Sequence, residues 1–194
     1  MEHLLTPFSS DINHSAWWDD GFTEEELDWL QGEARKADQT AHIRGPDTSC
    51  VDNSTRRSTV KWISSSENTR WIFKKLAHIV SDLNANVFRF DLTGFGEPLQ
   101  LTNYNEENQG LYKWHQDFGN QNVSRKLSLV LQLSDPSEYE GGELQLLAQK
   151  EPIVVRKKRG LITVFPAWTL HQVTPVIRGS RQSLVAWVSG APFR

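Results

Sequence analysis

A single cysteine and a single methionine stand in a chain of 194 residues. One cysteine, Cys50, excludes an intrachain disulfide and suits a reducing compartment; in its polar surroundings it reads as a passive loop thiol. An excess of one charge is missing too. With 21 Lys and Arg against 24 Asp and Glu, the formal net charge is −3, which lacks the electrostatic footprint of a nucleic-acid binder. No stretch is apolar for long enough to cross a bilayer. The start, Met1 to Phe8, has neither the basic opening nor the apolar run of a secretory leader. The expectation is a cytoplasmic protein with no membrane or nucleic-acid partner, in which the glycosylation patterns at Asn13, Asn53 and Asn122 are chance matches. Repeats and low-complexity segments are also absent.

What is present supports one domain over residues 1–194, since 38% of residues are hydrophobic and a chain of this length builds one core more readily than two. Eight tryptophans are expected to serve mostly in that core. Thr23 followed by Glu26 is a capping box, with Phe22 and Leu27 placed as a hydrophobic staple. That predicts a helix to about Ala37, burying Leu27, Leu30 and Ala34. Residues 39–58 are polar and broken, which predicts a long loop or weak hairpin suited to covering a site, and His42 within it reads as a surface histidine. A strand over 58–63 follows, and then Ser64 to Glu67 read as the cap of a second helix. Its stripe of Trp71, Ile72, Leu76, Ile79, Val80 and Leu83 repeats at three and four, leaving His78 off the buried face.

From residue 87 the pattern changes to short apolar runs separated by turns: 87–92, 99–104, 127–133, 142–147, 153–155, 161–165, 171–174 and 183–188. This predicts a β-rich core over 87–190 carried by a helical support over 1–86, an α+β chain whose strands form a sandwich or barrel. The basic run Arg156 to Arg159 reads as a solvated turn.

The chemistry is concentrated at His115 and Asp117. Two apart on a strand, they point to one side and can hold one metal ion together. His171, 54 positions beyond Asp117, is the candidate third ligand. Two imidazoles and a carboxylate on one side of a metal leave open positions opposite, as in non-haem Fe(II) oxygenases. Arg181 lies ten residues beyond His171. If the two strands form a hairpin turning at Arg178 to Ser180, its guanidinium could anchor an anionic co-substrate bidentately, with Ser183 and Tyr104 as helpers.

The order Tyr112-x-x-His115-x-Asp117, Arg125 to Leu133, Glu138 to Leu144 with its Gly141-Gly142 pair, Gly160 to Pro166, and His171 to Pro175 with Arg181 and Trp187 resembles the Fe(II)/2-oxoglutarate-dependent oxygenases of the prolyl 4-hydroxylase type. Among these it is most similar to the bacterial PKHD-type hydroxylases. The resemblance covers about residues 98 to 190, and Arg56 with Trp62-Ile63 echoes the strand that follows the mobile substrate-covering loop of prolyl hydroxylases. It implies a double-stranded β-helix of jelly-roll, cupin-like form, with His115, Asp117 and His171 as catalytic Fe(II) ligands. Arg181 and Tyr104 would hold 2-oxoglutarate, with Ser183 and Leu144 beside it, and Leu129, Leu144 and Trp187 would keep water out. Tyr112, Trp187 and Arg56 would line the substrate side. O2 is the second co-substrate, and ascorbate an accessory. Gln132 stands where the animal oxygen-sensing enzymes carry a tyrosine. The implied activity is hydroxylation of a protein or peptide residue, peptidyl proline first, with 2-oxoglutarate decarboxylated to succinate. Three other readings stay open: a hydroxylase of a free amino acid or small metabolite, a nucleic-acid demethylase of the AlkB type, which would need an arginine where Trp187 stands, and a non-catalytic metal- or sugar-binding barrel.

Overall fold

The computed structural model describes residues 13–44, 49–119 and 122–191; the start Met1 to Phe8 considered above, and residues 45–48 of the 39–58 segment, lie outside them. In chain order the elements are β1 (Ala16–Trp18), α1 (Glu24–Arg35), β2 (Gln39–Thr40), β3 (Ile43–Arg44), β4 (Ser49–Cys50), β5 (Arg56–Arg57), β6 (Thr59–Ile63), α2 (Arg70–Leu83), β7 (Leu92–Gly94), β8 (Leu99–Asn105), β9 (Leu111–His115) and β10 (Arg125–Gln132). The remainder are β11 (Tyr139–Gly141), β12 (Leu144–Leu147), β13 (Ile153–Val154), β14 (Ile162–Pro166), β15 (Leu170–Val173) and β16 (Val176–Gly190).

The strands form two main sheets. A nine-stranded sheet runs β1-β14-β10-β16-β8-β6-β2, with β7 and β11 also paired to β16, and a five-stranded sheet runs β13-β12-β15-β9-β5. Period-two alternation explains how the larger sheet serves two layers. Leu99 and Leu101 of β8, Leu127, Leu129 and Leu131 of β10, Ile162 and Val164 of β14, and Leu184, Ala186 and Val188 of β16 join Leu27, Leu30 and Ala34 of α1 and Ile72, Leu76 and Ile79 of α2 in one buried cluster. The intervening residues face the smaller sheet, where Val130 and Phe165 meet Leu144 and Leu146. A core strand therefore carries an apolar side toward the helices and a mixed side toward the space between the sheets.

The capping box forms as expected: the Thr23 hydroxyl accepts from the Glu26 amide, and the Glu26 carboxylate accepts from the Thr23 amide at 2.8 Å. Other local expectations change. Residues 64–69 form a turn in which the Thr69 hydroxyl accepts from Ser66 and donates to Ser64, so α2 starts at Arg70 without a side-chain cap. Residues 87–92 are not one strand. Asn84–Phe88 form a π-helical turn, because the Asn84 side chain bonds both the amide and the carbonyl of Phe90 and Arg89 takes a left-handed conformation with φ 57°. Strands β1, β2, β5 and β6 also join the two sheets, so the N-terminal part supplies sheet as well as helical support. Of the eight tryptophans only Trp187 is buried; Trp29 and Trp71, like Phe22 and Trp71, meet edge to face at the rim of the core. The basic run is not merely solvated: Arg156 and Lys158 pair with Asp19, and Arg159 with Glu24 and Asp28 of α1.

One backbone device bears on the site. Gly141 has φ +73°, and a Cβ there would stand 2.1 Å from the Pro175 carbonyl oxygen, where β11 pairs with the start of β16. Both the left-handed conformation and the contact forbid a side chain. Gly141→Ala is therefore expected to destabilise the protein by more than about 2 kcal/mol, read as a lowered urea midpoint at unchanged m-value.

Candidate metal and co-substrate site

The two sheets face each other across a cavity of about 830 Å³. On the smaller sheet, β9 and β15 are paired so that His115 and His171 stand directly opposite. Asp117 follows β9, in a turn fixed by the amides of Asp117 and Phe118, which both donate to the Ala167 carbonyl at 2.9 and 3.0 Å. One ligand atom from each of His115, Asp117 and His171 lies within 4.8 Å of the others.

The hydrogen bonds select the state of each ring. His115 Nδ1 lies 2.7 Å from the Lys113 carbonyl, and His171 Nδ1 lies 2.9 Å from the Thr169 carbonyl. A carbonyl only accepts, so both Nδ1 atoms carry a proton, which leaves Nε2 of each ring as the atom placed to ligate. Those Nε2 atoms lie 3.9 and 3.4 Å from the Asp117 carboxylate oxygens. The Ser128 hydroxyl donates to Asp117 Oδ2 at 2.6 Å and orients that group as an outer-shell partner does. Burial, followed by the nearby His171, pushes His115 down to about 3. For Asp117 burial acts upward, but the two imidazoles and the Ser128 hydrogen bond outweigh it and hold it at about 2. At neutral pH the donor set is thus neutral His115 with an ionised carboxylate, the forms that bind a divalent metal. Two nitrogens and one carboxylate fit Fe(II), and the remaining coordination positions would face the cavity.

The second wall carries Arg181, the arginine expected to anchor the co-substrate. Arg181 is 2% exposed, lies across from Tyr104 in the β16–β8 register, and donates to Ser183 Oγ at 3.4 Å. The hairpin expected between His171 and Arg181 does not form: β15 and β16 belong to different sheets, so Arg181 faces the histidines across the cavity instead of lying along their ladder. Tyr104, Ser183 and Leu144 line the same cavity, as do Tyr112, Trp187 and Arg56. Leu129 does not, because alternation on β10 turns it toward the helices and leaves Val130 facing inward. Tyr112 stacks on the His115 imidazole, with ring centroids 3.4 Å apart and planes 16° apart. Burial lifts its phenol to about 12, so it stays neutral. Gln39, Thr40 and His42 also line the cavity, which places the described start of the 39–58 segment in its wall.

Sequence reasoning missed Ser128, Glu97, Gln100 and Arg125. Ser128 was legible as a small polar residue interrupting an apolar strand. Arg125 stacks over Trp187 at 3.9 Å, is clamped by Glu97 and donates to the Asp117 carbonyl; neither motif nor spacing marks that arrangement. Gln132 donates to the Tyr139 hydroxyl at 2.7 Å, so a phenol from β11 stands next to the glutamine.

Comparison with known proteins agrees with this geometry. Residues 99–189 match the 2OG-Fe(II) oxygenase superfamily model. A PKHD-type hydroxylase of Prochlorococcus marinus is 40% identical over 78 residues, covering 40% of this chain and 35% of the relative. One from a Synechococcus species is 33% identical over 99 residues, covering 49% and 45%. The matched part thus spans less than half the length of these curated relatives. Among solved structures, a Pseudomonas putida prolyl-4-hydroxylase aligns with a TM-score of 0.71 at 19% identity over 92% of this chain and 93% of that one. A Trichoplax adhaerens prolyl hydroxylase, in complex with a hypoxia inducible factor oxygen degradation domain peptide fragment, aligns with 0.77 at 14% over 92% and 84%. At such identity these likenesses speak for the jelly-roll fold.

The titration pattern has a measurable consequence in chelator-treated protein. Between about pH 6.5 and about 3 the unfolded chain protonates His115 while the folded one resists, so stability falls as pH falls. Asp117 adds a further loss between about 3.8 and 2, the window over which its folded state resists protonation. Urea midpoints measured from pH 7.5 to 4.5 should decline, and His115→Asn should flatten the decline between 6.5 and 5.

Proposed function

We propose that this protein, whose residues 99–189 match the 2OG-Fe(II) oxygenase superfamily model, is a dioxygenase that hydroxylates a residue of a protein or peptide, with peptidyl proline the first candidate. The observation that carries this reading is the convergence of two imidazole Nε2 atoms and one carboxylate on one wall, with a buried arginine on the other that has no carboxylate partner among the described residues. Fe(II) held by His115, Asp117 and His171 would supply the redox chemistry that couples decarboxylation of 2-oxoglutarate to succinate and CO2 with insertion of one oxygen atom of O2 into a C–H bond.

The chain's own residues have separate tasks. Arg181 accepts the distal carboxylate of 2-oxoglutarate in a charge-assisted fork, helped by Tyr104 and Ser183. Leu144, Val130 and Val185 line the cavity between the sheets and exclude water from the reacting groups. Tyr112 fixes the plane of His115 by stacking, and with Trp187 and Arg56 forms the side on which substrate lies. From the 39–58 segment, Gln39, Thr40 and His42 join Arg56 in that wall. The prolyl hydroxylase fold of the structural neighbours, one of them holding a peptide, supports a peptide substrate. Cys50, the lone cysteine, suits a reaction in the reducing cytoplasm, with ascorbate as accessory reductant.

Anaerobic addition of Fe(II) and 2-oxoglutarate should produce a visible charge-transfer band, and admission of O2 should yield succinate. Asp117→Ala should abolish both. Arg181→Gln should keep metal binding but raise the 2-oxoglutarate concentration for half-saturation by about 10- to 100-fold, the loss of a charge-assisted pair worth about 1.5–3 kcal/mol. A folded wild-type protein giving neither band nor succinate would leave a non-catalytic binding barrel as the better reading.

A further inference from the structure

Three arginines line the cavity: Arg56, Arg125 and Arg181. Their charges are not treated alike. Arg125 is neutralised by Glu97, with Nε and Nη2 at 2.6 and 2.5 Å from its two carboxylate oxygens. Arg181 has no carboxylate partner among the described residues, and the distal carboxylate of the co-substrate accounts for it. Arg56 is the remaining case. It is 7% exposed, and its side-chain acceptors are both neutral: Nε donates to Ser58 Oγ at 2.9 Å and Nη2 to Gln100 Oε1 at 2.8 Å. Its Cζ lies over the Tyr112 ring, 4.6 Å from the centroid. Among the described residues no Asp or Glu forms an ion pair with it.

A guanidinium does not deprotonate, so a buried one cannot relieve the cost of an unpaired charge by titrating. Two such cations in one cavity call for two anionic groups, and one 2-oxoglutarate places only one distal carboxylate. The two also stand on different walls, Arg56 on β5 of the five-stranded sheet and Arg181 on β16 of the nine-stranded one. Arg56 is in register with Tyr112, and Tyr112 is stacked on His115. The cation is thus separated from a metal-ligating imidazole by the thickness of one ring.

We infer, on the reading of the site given above, that the substrate carries a carboxylate, that Arg56 receives it through the guanidinium edge not engaged by Ser58 and Gln100, and that the oxidised carbon lies within about one residue's span of that carboxylate. The Ser58 and Gln100 side chains hold the guanidinium plane, and Tyr112 sets its height above His115. A free amino acid offers such a group as its α-carboxylate, and a peptide offers it as an acidic side chain beside the modified residue.

The test uses full-length protein loaded with redox-inert Zn(II) and 2-oxoglutarate, and reads binding by tryptophan fluorescence, since Trp62 and Trp187 line the cavity. One arm compares N-acetyl-L-proline with its amide. The other compares an end-blocked proline peptide carrying a neighbouring Glu with the same peptide carrying Gln. At least one acid should bind about tenfold or more tightly than its neutral counterpart, and the arm that shows it identifies the source of the carboxylate. Arg56→Gln should close the gap, and Arg56→Lys, which keeps the charge without the fork, should restore part of it and serves if the glutamine variant fails to fold. Equal binding of acid and neutral probes, binding of none of them, a gap that survives Arg56→Gln, or an Arg56→Gln effect confined to 2-oxoglutarate would overturn the inference. If Zn(II) and 2-oxoglutarate themselves fail to bind wild-type protein, the oxygenase reading fails instead.

Discussion

The structure depends on a backbone pairing that sets His115 opposite His171 on adjacent antiparallel strands. A register shift between His171 and Val173 leaves one extra residue on β9, so Tyr112, three before His115, comes to the same side as that imidazole and stacks on it, while Arg56 pairs with Tyr112 from β5 and the amides of the turn after β9 donate to the Ala167 carbonyl. The ligand geometry is therefore a property of sheet pairing more than of any single side chain. Backbone carbonyls of Lys113 and Thr169 complete it by accepting hydrogen bonds from the Nδ1–H groups. Each carbonyl lies two residues before the histidine it serves, and the tautomer is set by the local chain conformation itself.

The second constraint is the two-faced nature of the large sheet. Leucine at alternate positions of β8, β10 and β16 binds that sheet to α1 and α2, and this leaves the other face free to carry Gln100, Tyr104, Ser128, Gln132, Arg181 and Ser183 without loss of core. Several buried polar groups there pair: Ser128 with Asp117, Gln132 with Tyr139, Arg181 with Ser183. Ligand chemistry and stability are thus assigned to opposite faces of the same strands. A substitution at an odd position such as Leu129 acts on the packing against the helices, and one at its neighbour Ser128 acts on the carboxylate.

How far the sequence shows this follows from range. The capping box of α1, the apolar stripe of α2 and the alternation of the core strands are local patterns, and each appears where it was expected. The meeting of His115, Asp117 and His171 at one cavity that Arg181 also lines was legible because residue type and order carry it. What was not legible is long-range pairing. Nothing local says that β15 and β16 separate at Thr174-Pro175 into different sheets, so the hairpin inferred from the Arg178 to Ser180 turn was wrong, although Arg181 reaches the same cavity from the far wall. Residues 87–92 read as a strand because their apolar residues suit one; the Asn84 side chain captures both polar groups of Phe90 and prevents it. Tryptophans predicted for the core mostly line its edge, since a ring that large is rarely covered on all sides.

The distribution of charge within the cavity links these points. A fold that separates its packing face from its polar face can hold several arginines in one enclosed space, provided each meets an anion. Glu97 meets that condition for Arg125, and by doing so frees the guanidinium face to stack on Trp187 and the remaining donor to hold the Asp117 carbonyl. Glutamine at position 100 and serine at position 58 orient Arg56 without neutralising it. An acid at either position would tie that cation up as Glu97 ties up Arg125, and the wall beside Tyr112 would then present no net positive charge to a substrate. Amide and hydroxyl in place of carboxylate at these two positions leave a held but unneutralised cation where an acid would make a structural ion pair, on the wall of the cavity opposite Arg181.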